Sequence, residues 1–301
     1  MVANSVLHDY LAGAIGGCTG IIVGHPFDTV KVQLQTQTPG HQYKQLWDCV
    51  LNIHHQGLSQ GFYRGLSWPL VSYGLISSVY FGVYGNTLSA MQRVQVVKSH
   101  SFKWYLQVAT AGMMAGVVQV FIACPVEVIK VVLQSQIPHQ LPGECPYKQK
   151  YYRGPMEAAI DIVKSRGPRG LFRGFGTQFC RDIPASAVYM VTYVFLGSQG
   201  AGLFQSIPSQ IINFIAGGFA GVLSWLIILP LDVVKSRLQG DSERKLYKGF
   251  SDCVMKSYRD GGLRLFFRGG LVISVRAFPV NAVTLMVYSE CLTLLNRYYA
   301  R

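Results

Sequence analysis

Hydrophobic residues gather into six long stretches, near 7–35, 65–92, 104–135, 174–198, 209–239 and 269–297. Each exceeds the roughly 20 residues that an α-helix needs to cross a bilayer. Several are interrupted by Ser, Gly and Tyr, the pattern of spanning helices that turn a polar face to a cavity or a neighbour. The more polar segments after the first, third and fifth stretches predict a loop with a short amphipathic helix. The pattern as a whole predicts an all-α membrane protein.

The unit of long helix, short helix and long helix occurs three times. Three prolines open the same pattern: Pro26-Phe27-Asp28-Thr29-Val30-Lys31, Pro125-Val126-Glu127-Val128-Ile129-Lys130 and Pro230-Leu231-Asp232-Val233-Val234-Lys235. Nine residues later stands a glutamine in each: Gln35, Gln134 and Gln239. Before each proline lies a Gly-x-x-x-Gly, at Gly13 and Gly17, Gly112 and Gly116, and Gly217 and Gly221. Such spacing predicts close helix approach. The prolines predict kinks or breaks in the odd-numbered long helices. Tyr63-Arg64-Gly65, Phe172-Arg173-Gly174 and Phe267-Arg268-Gly269 are 109 and 95 residues apart, as are Tyr43, Tyr152 and Tyr247. The middle copy is ten residues longer between proline and tyrosine, 27 against 17, around Ile137 to Pro146, which reads as a loop. Repetition at this many positions excludes a set of unrelated helices.

Composition agrees with a membrane protein. Of 301 residues, 14% are charged, where a soluble domain has about 25%. Mean hydropathy is +0.26 and the net charge +13, which suggests an anionic membrane surface or anionic groups as partners. Nucleic acid would explain the charge but not the apolar stretches. The seven cysteines, at 18, 49, 124, 145, 180, 253 and 291, show no metal-ligand spacing and predict neither a disulfide framework nor a zinc site. No nucleotide loop or credible Ser/His/Asp or Cys/His arrangement points to an enzyme. Met1 to Tyr10 lacks the features of a transit or secretory sequence, so an internal address is expected.

The tripled Pro-x-[Asp/Glu]-x-x-Lys with its later aromatic-Arg-Gly resembles the mitochondrial carrier family over roughly residues 7 to 297. The resemblance implies six transmembrane helices in three pseudo-threefold repeats, 1–98, 99–205 and 206–301, forming one structural domain. Each repeat would carry its short amphipathic helix on the matrix side. It further implies a central cavity and alternating access across the mitochondrial inner membrane, with a monomer whose termini face the intermembrane space. Structural cardiolipin is expected and no other cofactor or metal. The run from Gly24 to Lys31, with Ser224-Trp225, is similar to the branch of carnitine/acylcarnitine and basic amino acid carriers.

A threefold axis would let each acid meet the next copy's base: Asp28 with Lys130, Glu127 with Lys235, Asp232 with Lys31. Unpaired charge at membrane depth costs several kcal/mol per group, which favours such a ring closing the matrix side. The alternative is an acid–base pair within each helix. Gln35, Gln134 and Gln239 match the family's bracing glutamines. The chain also departs from the family. Its second base is Gln33 and Val132 in copies one and two, and only Arg237 keeps it. The acid before the aromatic-Arg-Gly is replaced at Gly57, Arg166 and Gly261. At the opposite gate Tyr84, Tyr193 and Tyr288 remain, but Gly85, Val194 and Ser289 replace the acids and Leu88, Gly197 and Leu292 the bases. A weak cytoplasmic gate follows.

Seven residues after Gly65, Gly174 and Gly269 come Ser72, Arg181 and Arg276, at the family's substrate-contact positions, and Asp182 follows Arg181. Arg181 or Arg276 could hold a carboxylate by a bidentate fork, and Asp182 could balance an ammonium group. Trp225, with Ile21 and Val120 as its counterparts, offers a face for cation–π contact. His25 is a further candidate contact. These groups suit a cationic or zwitterionic metabolite: a basic amino acid, an N-methylated amino acid or a carnitine-like betaine. The alternatives within the fold are a proton or anion leak and a nucleotide or dinucleotide carrier. Arg64, Gly65, Arg173, Gly174, Arg268 and Gly269, with Gly154 and Gly249, resemble the family's cardiolipin sites. Copy one reads Tyr43-Lys44-Gln45 and departs from that pattern.

Overall fold

The computed structural model describes residues 2–37, 43, 45–94, 101–136, 152–203, 209–241 and 244–299. The inserted stretch Ile137 to Pro146, with Cys145, lies outside the described residues. Six long helices and three short ones follow one another: α1 Val2–Gln35, α2 Leu46–His55, α3 Ser67–Val94, α4 Phe102–Ser135, α5 Pro155–Arg166, α6 Phe175–Leu203, α7 Ser209–Gly240, α8 Phe250–Leu265 and α9 Gly270–Tyr299. Among the described residues, 18-residue windows in α4, α7 and α9 are apolar enough to cross a bilayer by composition alone. α1, α4 and α7 each run unbroken through their prolines, Pro26, Pro125 and Pro230, so the expected break does not occur.

The short helices pack beneath the C-terminal halves of the odd helices. Cys49 and Ile53 of α2 meet Val30 and Tyr43 in a buried cluster. Ala158 and Ile162 of α5 meet Val128, Val132 and Tyr152. Cys253 of α8 meets Val234, Leu238 and Tyr247. The third cluster is more polar for a local reason. Ser257 stands where copies one and two have Ile53 and Ile162, and the buried Arg237 guanidinium donates to its hydroxyl at 3.0 Å.

Each short helix ends on a glycine in the left-handed region: Gly57 (φ +83°), Gly167 (φ +70°) and Gly262 (φ +61°, a kink within α8). A side chain is disfavoured there. From this glycine to the motif aromatic is six residues in copy one and five in the others. Copy one absorbs the extra residue in a single π-helical turn over Leu58–Phe62, closed by Tyr63 N–H donating to the Leu58 carbonyl at 2.9 Å. Copy two has a tight 3-10 turn, Pro168–Phe172, instead. The counterpart of Arg166 and Gly261 is therefore Gln56, not Gly57, a one-residue correction to the spacing. The position stays without an acid in all three copies.

Close helix approach also differs from the expected pattern. Gly13 and Gly221 have open space beside them, whereas Gly112 and Gly116 press Ser186 and a Cβ on Gly17 would overlap the Tyr73 ring of α3. In copy one the approach runs along Gly16, Gly20 and Gly24, successive turns of one face of α1 against α9. A Cβ on Gly16 would lie 2.7 Å from the Thr284 carbonyl, and one on Gly20 would overlap the Thr284 hydroxyl. Gly16→Val is therefore expected to cost about 1–3 kcal/mol through overpacking. Thermal unfolding of the detergent-purified protein should show a clear loss for Gly16→Val and little change for Gly13→Val.

Candidate functional site

In each odd helix the acid and the base are three residues apart, so both lie on one face. The structure turns that face toward the neighbouring copies. Lys130 Nζ lies 2.6 Å from Asp28 Oδ2, and Lys31 Nζ lies 2.8 Å from Asp232 Oδ2. Lys235 Nζ donates to Glu127. All three pairs join different copies; none is the within-helix alternative. They form a ring at the end of the bundle that carries the short helices.

Two arginines from the even helices join this ring. Arg181 is 4% exposed, and each of its nitrogens faces an acid: Nε to Asp182 Oδ1 at 2.6 Å, one terminal nitrogen to Asp232 Oδ1 at 2.7 Å, the other to Glu127 Oε2 at 3.4 Å. In this conformation a substrate carboxylate would have to compete with three acids for Arg181. Arg276 is different. Its Nε lies 2.8 Å from Asp28 Oδ1, but Asp28 also serves Lys130, and a quarter of the Arg276 side chain is exposed. Gly24 clears the way, since a Cβ there would lie 3.1 Å from the Arg276 guanidinium.

The three glutamines do not act alike. Gln35 Nε2 donates to Asp232 Oδ2 at 3.0 Å, bracing the Lys31–Asp232 pair. Gln134 donates instead to the Thr29 hydroxyl at 3.0 Å and also meets His25 Nε2 at 3.4 Å. Gln239 donates to Gln178 Oε1 at 3.1 Å. Of the three glutamines, only Gln35 hydrogen-bonds an ion pair of the ring among the described residues. The cause for Gln134 is local: Thr29 is a polar group where copies two and three have Val128 and Val233.

His25 is fully buried. Its ring stacks on Tyr63 with 6.2 Å between centroids, and its Nε2 lies 3.0 Å from the Arg64 carbonyl. The structure thus places His25 in packing and not at the cavity. Ser72 likewise turns inward on its own helix, donating to the Trp68 carbonyl at 2.8 Å.

The cavity itself, about 310 Å³, is off centre. α4 gives it Gln119 and Glu127, α6 gives Arg181, Asp182, Ser186 and Tyr189, and α7 gives Ser224 and Trp225, with Tyr80 from α3. Neither α1 nor α9 lines it. Of the residues expected to contact substrate, Arg181, Asp182 and Trp225 come together here; His25, Ser72 and Arg276 do not. Tyr80, Gln119, Ser186 and Tyr189 were not apparent from sequence. The threefold alignment carries a signal for two of them, since Tyr80 and Tyr189 are 109 residues apart and so equivalent. The Trp225 ring is already engaged, with Lys31 Nζ 4.5 Å and the Arg181 guanidinium carbon 5.5 Å from its centroid.

The arginines of the aromatic-Arg-Gly motifs face protein. Arg64 donates to the Tyr152 carbonyl at 2.8 Å. Arg173 donates to the Leu238 and Tyr247 carbonyls and pairs with Asp241 at 2.9 Å. Arg268 donates to Gln37 Oε1 at 3.0 Å. Each ties its repeat to the next. The glycines that follow, Gly65, Gly174 and Gly269, have φ of +80°, +72° and +84°. They turn the chain sharply into the even helix.

The sequence model of the mitochondrial carrier protein family matches this chain three times, over residues 3–95, 102–198 and 208–299. Human solute carrier family 25 member 45 is 41% identical over 293 residues, covering 95% of this chain and 98% of that protein. Danio rerio solute carrier family 25 member 48 is 36% identical over 307 residues, covering 97% and 98%. Human solute carrier family 25 member 47 is 36% identical over 304 residues, covering 95% and 98%.

The buried Arg173–Asp241 pair yields a stability prediction. Arg173→Met leaves the Asp241 carboxylate, 4% exposed, without its counter-charge and should cost about 3–5 kcal/mol. A second change, Asp241→Asn, should recover part of that loss. A thermal-unfolding double-mutant cycle in detergent measures the coupling.

Proposed function

This chain belongs to the mitochondrial carrier family, and on that premise we propose that it moves a cationic or zwitterionic metabolite by alternating access. It is a multi-pass solute carrier of the inner membrane and not an enzyme. The observation that carries the substrate reading is the cavity's lining. Two acids, Asp182 and Glu127, share one small cavity with three aromatic side chains, Tyr80, Tyr189 and Trp225. Carboxylates and aromatic faces together favour an ammonium or methylated ammonium group. Arg181 lines the same cavity but is turned to Asp182, Asp232 and Glu127, so the two acids and the aromatic faces are the groups a cationic ligand would meet.

Arg276 is the group we assign to the substrate carboxylate. It shares a single acid with Lys130, whereas Arg181 is faced by three. In this reading the substrate extends from the cavity's acid and aromatic side toward Arg276, which does not line the cavity in this conformation. A basic amino acid, an N-methylated amino acid or a carnitine-like betaine has the required charges. Asp28, Lys31, Glu127, Lys130, Asp232 and Lys235 are the matrix gate in this reading, and Gln35 its brace.

The opposite end has Tyr84, Tyr193 and Tyr288 but neutral residues at Gly85, Leu88, Val194 and Gly197. Closing that side gains no ionic ring, so the empty carrier rests open to the intermembrane space, where both termini lie. Cardiolipin is assigned to the N-terminal ends of α5 and α8 at Gly154 and Gly249, whose first N–H groups point out of the helix.

Uptake into cardiolipin-containing proteoliposomes tests the reading, with labelled arginine, lysine, methylated lysines, carnitine, choline and adenine nucleotides offered in turn. Saturable uptake of a cationic zwitterion is expected. Arg276→Ala should lower its Vmax/KM by about a hundredfold, the effect of losing a charge-assisted pair of hydrogen bonds. Uptake of nucleotides alone, or only a proton leak, would sink the assignment.

A further inference from the structure

The three acids of the ring are not equivalent. Copies one and three use aspartate, and copy two uses glutamate. The Asp232 side chain is fully buried and that of Asp28 is 18% exposed, but that of Glu127 is 32% exposed and lines the cavity beside Asp182 and Trp225. Its partner Lys235 is the reverse, with 4% of the side chain exposed. The two carboxylate oxygens also differ. Oε2 receives Lys235, while Oε1 has the Arg181 guanidinium at 3.5 Å, too long for a strong bond.

We propose that Glu127 both closes the gate with Lys235 and receives the substrate's cationic group, so that cation binding in the cavity loosens the gate pair. This rests on the cationic-substrate reading above. A carboxylate shared between two cations holds each less firmly than it would hold one. The substrate cation therefore binds Glu127 more tightly once Lys235 has parted from it. That difference in affinity between the closed and open ring is what a ligand needs to shift a conformational equilibrium. Asp232 cannot act in this way because its carboxylate does not reach the cavity surface. Asp28 lies outside the cavity lining, on the Arg276 side.

The test uses the full-length protein and two pairs of probes that differ only in the distal charge: L-arginine with L-citrulline, and carnitine with its neutral carbon isostere. Dissociation constants come from ligand-induced thermal shift in detergent, and KM and Vmax from proteoliposome uptake. Two variants keep the gate charges. Glu127→Asp retracts the carboxylate, and Glu127→Lys with Lys235→Glu exchanges the partners. Both should lose the preference for the cation over its neutral partner by about tenfold or more, the scale of one charge-assisted hydrogen bond. Binding of the neutral probe should change far less than binding of the cation. If instead both probes weaken together, or only Vmax falls while the cation preference stays, Glu127 serves the gate alone and the proposal is overturned. Failure of the wild-type protein to take up any cationic probe would overturn the substrate reading and this proposal with it. That outcome is distinct from wild-type uptake whose selectivity the variants leave unchanged.

Discussion

A charge carried to the depth of the hydrocarbon layer must keep a counter-charge, and the bundle is arranged around that constraint. Asp232 shows it most plainly. Its side chain is fully buried, and Lys31, Arg181 and Gln35 all meet its two oxygens. The pairs that satisfy the acids are also the pairs that join the copies, so electrostatic satisfaction and closure of one end are the same event. Four acids, Asp28, Glu127, Asp182 and Asp232, face five cations, Lys31, Lys130, Lys235, Arg181 and Arg276. The cluster therefore has one cation in excess, and Asp28, Glu127 and Asp232 each face two of the five.

The threefold repetition is only approximate, and its exceptions are matched in pairs. Arg237 stands over Ser257, at a position that is apolar in the other copies. Thr29 draws Gln134 away from the ion pair. The seams between copies are consequently unequal. The seam between copies two and three has Lys235–Glu127, Arg181–Asp232 and Arg173–Asp241. Among the described residues, the seam between copies one and two has one ion pair, Lys130 with Asp28, supported by hydrogen bonds from Gln33, Gln134 and Arg64 to uncharged groups across it. The cavity is unequal in the same sense, since none of its lining residues comes from α1 or α9.

The motifs placed the ring and the order of its partners before any coordinates. Spacing fixes which turn and which face a residue occupies, and three copies about an axis leave each acid one neighbouring base. The same spacing misread one residue, Gly57, because a π-helical turn adds a residue without changing what lies on either side of it. It caught only part of the close approach of helices, at Gly17 against Tyr73 and at Gly112 and Gly116 against Ser186. Gly13 and Gly17 repeat across the copies, but the face that meets α9 carries Gly16, Gly20 and Gly24.

The sequence by itself determined the three repeats, the six long helices with their short companions, and the residues that form the ring. Each of these follows from periodicity, and periodicity is a property of the chain alone. Only the tertiary structure decided how donors and acceptors are shared. Arg181 and Arg276 occupy equivalent positions, yet one finds three acids and the other half of one. His25 and Trp225 both looked like ligand contacts, yet His25 packs under Tyr63 and Trp225 borders the cavity. A guanidinium or an imidazole is satisfied by whichever groups neighbouring helices bring within about 3 Å. Those neighbours come from distant parts of the chain, so no local spacing records them.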